Sequence, residues 1–294
     1  MPGGRPSYNL DMVASSLLSR PRTLGQSDLD KMALQGADLR GVRIQDVDLS
    51  GRDMAGVDLR RATLVRVRMC GADLRKADFR ESELHSVDLS AANLQEGKLD
   101  RARAKGLVLR EADLSGASLS GLYAPEANFC GASLRGADLR QARLEFSVAS
   151  LADLSSVQAK GVALDGALLD GAELSFADLS KATLEDADLS GATLQGLRLR
   201  GARLRGLRLK DARVHGLVLD GVRWPRGVLS QAQKEALGLE SPEVEPVVIA
   251  APDTPPELAP EPEPSPEAAP LLEPGASLAG VDLSGQDLRG RDLS

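Results

Sequence analysis

Between Leu194 and Val214 the chain reads LQGLRLRGARLRGLRLKDARV, and its apolar residues recur every five positions. Leu194, Leu199, Leu204, Leu209 and Val214 hold one phase, and Ala192, Leu197, Ala202, Leu207 and Ala212 stand two residues before them. The other three places are mostly Gly, Arg, Asp, Thr or Gln. Extended in both directions, the comb runs without a slip from Leu24 to Leu229, and every fifth residue is apolar. Nearly all are Leu, Ile, Met, Phe or Val; Ala104, Ala124, Ala149, Ala159 and Trp224 are the exceptions. A period of five matches neither the 3.6 of a helix nor the 2.0 of a plain strand. It predicts a chain that turns a corner every five residues, with the Ala and Leu places inward and the rest outward or in the turn. No such unit buries its own apolar face, so the units must stack into a solenoid.

The stretches ADLRG at Ala37–Gly41, ADLSG at Ala112–Gly116, ADLRQ at Ala137–Gln141 and ADLSG at Ala187–Gly191 resemble the A(D/N)LXX signature of the pentapeptide repeat family. The resemblance covers residues 24–229 in one phase. It implies an all-β fold, a right-handed quadrilateral β-helix with four pentads per coil and about ten coils, ~50 Å long at ~4.8 Å per coil. Stacking then sets residue i against i+20.

Departures from the pattern predict local consequences. Leu122 and Ala124 exchange the usual small and large inward places, a swap that keeps core volume. Pro125, in the stretch GLYAP, cannot donate a ladder hydrogen bond and predicts a local distortion. Arg52 stands at an inward Ala place and is expected to fit poorly.

Composition agrees with a narrow core: aromatic residues are 2% of the chain. The net charge of −7 is unevenly spread. Residues 24–229 carry nearly equal numbers of acids and bases, whereas 239–274 carry nine acids and no Lys or Arg. Arg40, Arg60 and Arg80 each follow an Asp by two residues, which predicts a self-neutralised ladder rather than a basic stripe. Two blocks break this balance. Residues 145–189 hold nine acids against Lys160 and Lys181, with Glu145, Asp165 and Glu185 expected to stack without an intervening cation. Residues 198–226 hold nine bases against two acids, among them Arg198, Arg200, Arg203, Arg205, Arg208, Lys210 and Arg213. Phe146, Val148, Leu151 and Leu168 take outward or corner places beside the acidic ladder. Clustered exposed apolar residues mark a contact surface, and packing within the corners is the rival explanation.

Residues 1–23 lack the repeat and are expected to cap the first coil. Ser230 and Gln233 form a capping-box pattern, which predicts a short helix over 230–238 closing the far end, with Trp224 and Leu229 beneath it. Eleven of the 16 prolines fall within 242–274, so 239–274 reads as a disordered Pro/Glu-rich linker. Residues 275–294 return to fives in a new phase, a second block too short to fold alone, which is expected to dock on an open solenoid end.

Neither metal-ligand spacing nor a phosphate loop nor a nucleophile elbow is present, and a filled core leaves no cleft. The expectation is no enzyme, no cofactor, no metal and no small-molecule substrate. Cys70 and Cys130 are three coils apart and are expected to be free thiols. Without a long apolar run or an apolar leader, the sequence predicts a cytoplasmic location. The first functional reading is a scaffold binding an unidentified protein. By resemblance, two others stand beside it. One is a DNA mimic that protects DNA gyrase from quinolones or gyrase poisons; the other is an accessory part of a bacterial secretion assembly. The near-neutral repeats weigh against the mimic. Direct nucleic-acid binding through 198–226 is disfavoured for want of interleaved aromatics. A C-terminal homodimer is an option that the resemblance also implies.

Overall fold

The computed structural model describes residues 22–218 and 230–236. The chain divides after Glu243 into two units, and all described residues belong to the first. The second block at 275–294, the linker, most of the N-terminal segment, Trp224 and Leu229 lie outside the described residues.

The structure is a β-helix. Its inward places are the two that the five-residue comb assigns: in Ala112-Asp113-Leu114, for example, the Ala and Leu are 1% and 0% exposed and the Asp between them faces out. Five short strands form one parallel sheet in sequence order: β1 (Thr23–Leu24), β2 (Arg43–Gln45), β3 (Thr63–Val65), β4 (Glu83–His85) and β5 (Arg103–Lys105). Their partners are 20 residues apart, as in Ile44 with Leu64 and Leu64 with Leu84. Single-residue bridges carry the same 20-residue register on to Arg198 with Val218.

The hydrogen bonds explain the signature. The outward residue donates to the preceding coil and the central residue to the next: Asp113 N–H to Ala92 O at 3.0 Å, Leu114 N–H to Ser133 O at 2.7 Å. The residue after the central one donates no ladder bond, although its carbonyl accepts one, as Ser115 O does from Glu96 N–H at 3.2 Å. Its N–H instead meets the outward Asp side chain, as Ser115 N–H does with Asp113 Oδ1 at 2.9 Å. Asp or Asn before the Leu therefore closes the turn and also satisfies a donor that the ladder leaves over. The next residue takes a positive φ, as at Gly116 (φ 66°), and the following Ala N–H closes a β-turn onto the Leu carbonyl, Ala117 N–H to Leu114 O at 2.9 Å.

Two expectations are corrected here. Pro125 causes no distortion, because it holds the place whose N–H the ladder never uses; Ala124 and Glu126 keep their bonds to Arg143 O and Glu145 O, both at 2.9 Å. Arg52 is not a misfit. Its side chain turns back to the first coil, donates to Leu29 O and Met32 O at 3.2 and 3.3 Å, and pairs with Asp30 at 3.2 Å. The Leu122 and Ala124 exchange is accommodated, with both residues 0% exposed.

Both ends use a glutamine amide to extend the ladder. After β1 comes one helical turn, α1 (Gln26–Leu29). The Gln26 side chain accepts from Asp48 N–H at 2.9 Å and donates to Asp48 O at 3.1 Å, taking the place of a strand residue. At the other end α2 (Gln231–Ala236) opens with a reciprocal capping box. Gln233 N–H donates to Ser230 Oγ at 3.3 Å, and Ser230 N–H donates to Gln233 Oε1 at 2.9 Å. The Gln233 amide then donates to Leu209 O at 2.8 Å and Ala212 O at 3.1 Å, two carbonyls of the last coil that no further described coil covers.

The core has one weak layer. Ser147 and Ala149 occupy the small and large inward places of one pentad with no compensating exchange, and Val157 and Ala159 those of another with only a partial one. A cavity of about 20 Å³ adjoins Ser147, Ala149, Val157 and Ala159. The Ser147 hydroxyl is buried with no partner, as is that of Ser82. We expect Ser147→Ala, which restores the usual residue, to stabilise the protein by about 1 kcal/mol. A raised denaturation midpoint at unchanged m-value checks it.

Candidate protein-interaction surface

The early coils neutralise themselves along the strand. Arg40, Arg60 and Arg80 fold back on Asp38, Asp58 and Asp78 at 2.6, 2.5 and 2.6 Å, and Arg140 does so on Asp138 at 2.6 Å. Arg40 and Arg60 also approach the next Asp of the ladder, both at 3.7 Å. The Arg40 side-chain hydrogen bond holds the Asp38 carboxyl down at about 2, against an ordinary 3.8. Asp138 is lowered in the same way by Arg140. A carboxylate depressed on folding adds stability above its unfolded pKa and loses it as pH falls through the folded value. The stability of the solenoid is therefore expected to decline between pH ~4 and ~2. Thermal midpoints across that range check it, and Asp38→Asn should flatten the decline.

The acidic column differs from its expected form. Glu145, Asp165 and Glu185 do lie in one column, but two of them have cations. Arg143 reaches along the strand to Glu145 at 2.8 Å, and Arg205 reaches back from the next coil to Glu185 at 3.4 Å. Arg143 also stacks on the Tyr123 ring, 5.1 Å from its centroid, with Arg103 on the ring's other neighbour coil at 5.6 Å. Asp165 alone of the three has no cation. It accepts from Thr183 Oγ1 at 2.7 Å and Glu185 N–H at 2.8 Å. The column is thus partly neutralised and hydrogen-bonded, with Glu145 Oε2 buried without a hydrogen bond and Asp165 without a cation.

Beside it lies the apolar patch. Val148 and Leu168 are bridged in adjacent coils, with Val148 half-buried and Leu168 40% exposed. Phe146 and Leu151 hold the corners on either side of Val148 and are 64% and 70% exposed. The structure adds Phe176, 60% exposed, one corner further round and one coil on from Leu151. It stands at the same repeat place as Phe146 and Leu151, so the signal that selected those two applied to it; only its position on another corner hid the connection.

All three corner residues have positive φ, 59°, 60° and 61°. Their side chains lie over the glycine one coil on. A Cβ on Gly166 would meet the Phe146 ring at 2.5 Å, one on Gly171 would meet Leu151 at 2.8 Å, and one on Gly196 would meet Phe176 at 2.7 Å. Gly166→Ala is accordingly expected to displace Phe146 and cost about 1–2 kcal/mol, since Gly166 itself has φ +65°. Denaturant titration checks the cost.

The seven cations from Arg198 to Arg213 are all exposed. Arg208 pairs with Asp188 at 3.1 Å and Arg205 with Glu185, so the acidic and basic blocks partly neutralise each other where they meet. Among the described residues no three His, Cys, Asp or Glu side chains gather as a metal site. No described helix is long and apolar enough to cross a membrane. Cys70 and Cys130 are free, and burial pushes the Cys70 thiol up.

The sequence matches the Pentapeptide repeats family in eight copies, over residues 53–90, 82–122, 112–147, 126–157, 150–186 and 184–221. The chain is a pentapeptide repeat protein. Among solved structures it is similar to HetL, a pentapeptide repeat protein involved in heterocyst differentiation regulation in the cyanobacterium Nostoc sp. strain PCC 7120. That match has 30% identity, covers 67% of this chain and 98% of HetL, and has a TM-score of 0.26. A second Nostoc pentapeptide repeat protein, alr5209, is 36% identical over 31% of this chain and 83% of its own, with a TM-score of 0.20. QnrB1, a plasmid-mediated fluoroquinolone resistance protein, is 19% identical over 64% of this chain and 89% of its own, with a TM-score of 0.34. A search of curated protein sequences gives no match.

Proposed function

We propose that this pentapeptide repeat protein is a non-enzymatic, cytoplasmic scaffold, a right-handed quadrilateral β-helix of about ten coils that binds a partner protein. The contact surface comprises Phe146, Val148, Leu151 and Leu168 on one side and Phe176 one corner further round, flanked by Glu145, Asp165 and Glu185. The divisions at residues 23, 229, 238 and 274 belong to the same reading.

One observation carries it: three large apolar side chains at corners with positive φ are 60% to 70% exposed. An L-residue in that conformation costs roughly 1–2 kcal/mol relative to glycine, yet non-glycine residues hold about half of the described corners, so it is the size and exposure of these three that set them apart. Side chains this exposed recover little of that cost by burial. A partner that covers them recovers it on binding, as aromatic anchors do at interfaces.

The gyrase-protecting alternative draws on free negative charge, and ion pairs at Glu145, Asp153, Glu185 and Asp188, four of the nine acids in 145–189, remove part of it. A DNA gyrase supercoiling assay with and without a quinolone tests that alternative. The scaffold reading predicts no inhibition and no rescue. Activity at micromolar protein would move the gyrase reading ahead. The secretion reading rests on residues 239–294, outside the described residues. A homodimer through the apolar face is distinguished from a foreign partner by sedimentation: a doubled mass lost in Leu151→Gly identifies the dimer.

A further inference from the structure

The side of the solenoid that carries Val148 and Leu168 has an ordered column of outward residues. Its middle is uncharged, with Val108, Asn128, Val148 and Leu168 bridged in succession. Asp88 precedes them in the same column, and Asp188 and then Arg208 follow. Arg110 and Lys210 stand two residues after Val108 and Arg208, both exposed, and among the described residues neither meets a carboxylate. Phe146 and Leu151 hold the two corners that border this side at the level of Val148.

The order of the column selects its partner. Two copies that face each other here with their solenoids parallel set each coil against the same coil, so the Asp88, Asp188 and Arg208 levels each meet a like charge. Antiparallel copies related by a two-fold axis at the Val148 coil do the opposite. A coil one step beyond the axis meets the coil one step before it, and so on outward at ~4.8 Å per step. Phe146, Val148 and Leu151 then meet their own counterparts, and Leu168 meets Asn128 of the second copy. Asp188 comes beside Val108 and Arg110 of the second copy, and Arg208 and Lys210 come beside its Asp88. Apolar residues take the centre and opposite charges the two ends, and each contact occurs twice, as a two-fold interface requires. Neighbouring registers lose this match. Moving the axis one coil back sets Asp88 against Leu168, and one coil on sets Val148 against Asp188. Half a coil back opposes Asp88 to Asp188, and half a coil on sets Val108 against Arg208.

We propose that this side is a homodimer interface, in which two copies pack antiparallel about the Val148 coil. The inference rests on the reading of the apolar residues as a contact surface and names a second copy as the occupant of this side. Phe176, one corner further round, stays outside it, so the dimer still presents that ring to another protein.

Sedimentation equilibrium of the full chain tests the proposal. D88R and R208D each set like charges together twice, and each is expected to weaken the dimer about 100-fold or more. Arg already holds this outward place at Arg68 and Asp at Asp48, so both variants are expected to fold, which thermal midpoints check. Mixed in equal amounts, the two variants carry complementary charges at both ends and are expected to dimerise within about threefold of the natural constant. L151G, at a corner that suits glycine, is expected to lose the doubled mass without losing stability. A natural chain that stays monomeric at ~100 µM overturns the proposal. So does a dimer that persists in D88R or L151G, or a mixture no more associated than its components. A monomeric natural chain whose capture of another protein still depends on Phe146, Leu151 and Phe176 overturns the dimer alone; loss of that dependence as well overturns the contact reading too.

Discussion

Replacing Phe79 by alanine is expected to lower the unfolding free energy by about 3–5 kcal/mol, the largest single-residue effect in the solenoid. Phe79 and Phe129 are the two largest fully buried side chains, and Phe79 is 0% exposed. It stands in a column with Leu59 and Leu99, also 0% exposed, through the register that bridges Asp58, Asp78 and Lys98. Its backbone is fixed by Phe79 N–H to Lys98 O at 2.7 Å, so the chain cannot collapse into the space without breaking the ladder. In a solenoid each coil has only two neighbours, and a cavity in one coil weakens both of its interfaces. Urea unfolding followed by circular dichroism measures the change. A loss under 1 kcal/mol would mean that the coils repack freely, contrary to the ladder geometry.

The second large effect is on binding without a matching loss of stability. Changing Phe146, Leu151 and Phe176 together to glycine removes the corner side chains while placing at each corner the residue that tolerates positive φ best. If these side chains serve only to pack over Gly166, Gly171 and Gly196, the triple variant loses stability. If they are kept for a partner, stability holds or rises and partner affinity falls by about 100-fold or more, the effect of removing two or three anchors of a binding site. We expect the second outcome. Both quantities are read on one preparation, by thermal unfolding and by titration against the partner.

The repeat place of a residue was readable from sequence because a period of five leaves only one assignment of inward and outward positions. Phe146, Leu151 and Leu168 were picked out by that assignment and are exposed in the structure. What sequence missed depended on contacts between places. Arg143 stands two residues before Glu145, the spacing already read as pairing in Asp78 and Arg80, and Arg205 lies 20 residues beyond Glu185; both pairs were legible, but the column was read from its acids alone. Pro125 was misjudged because the period does not reveal which N–H the ladder omits. Arg52 was misjudged because the first coil includes a helical turn, α1, whose carbonyls need a donor; the apolar comb gives no sign of that turn.

The scaffold account is tested most directly by quantitative affinity capture from the native cell, comparing the natural chain with the triple glycine variant at matched thermal stability. It predicts a discrete set of proteins enriched by the natural chain and reduced at least about tenfold with the variant. Retention of the same set by the variant would contradict it and would move the contact away from the Phe146 face.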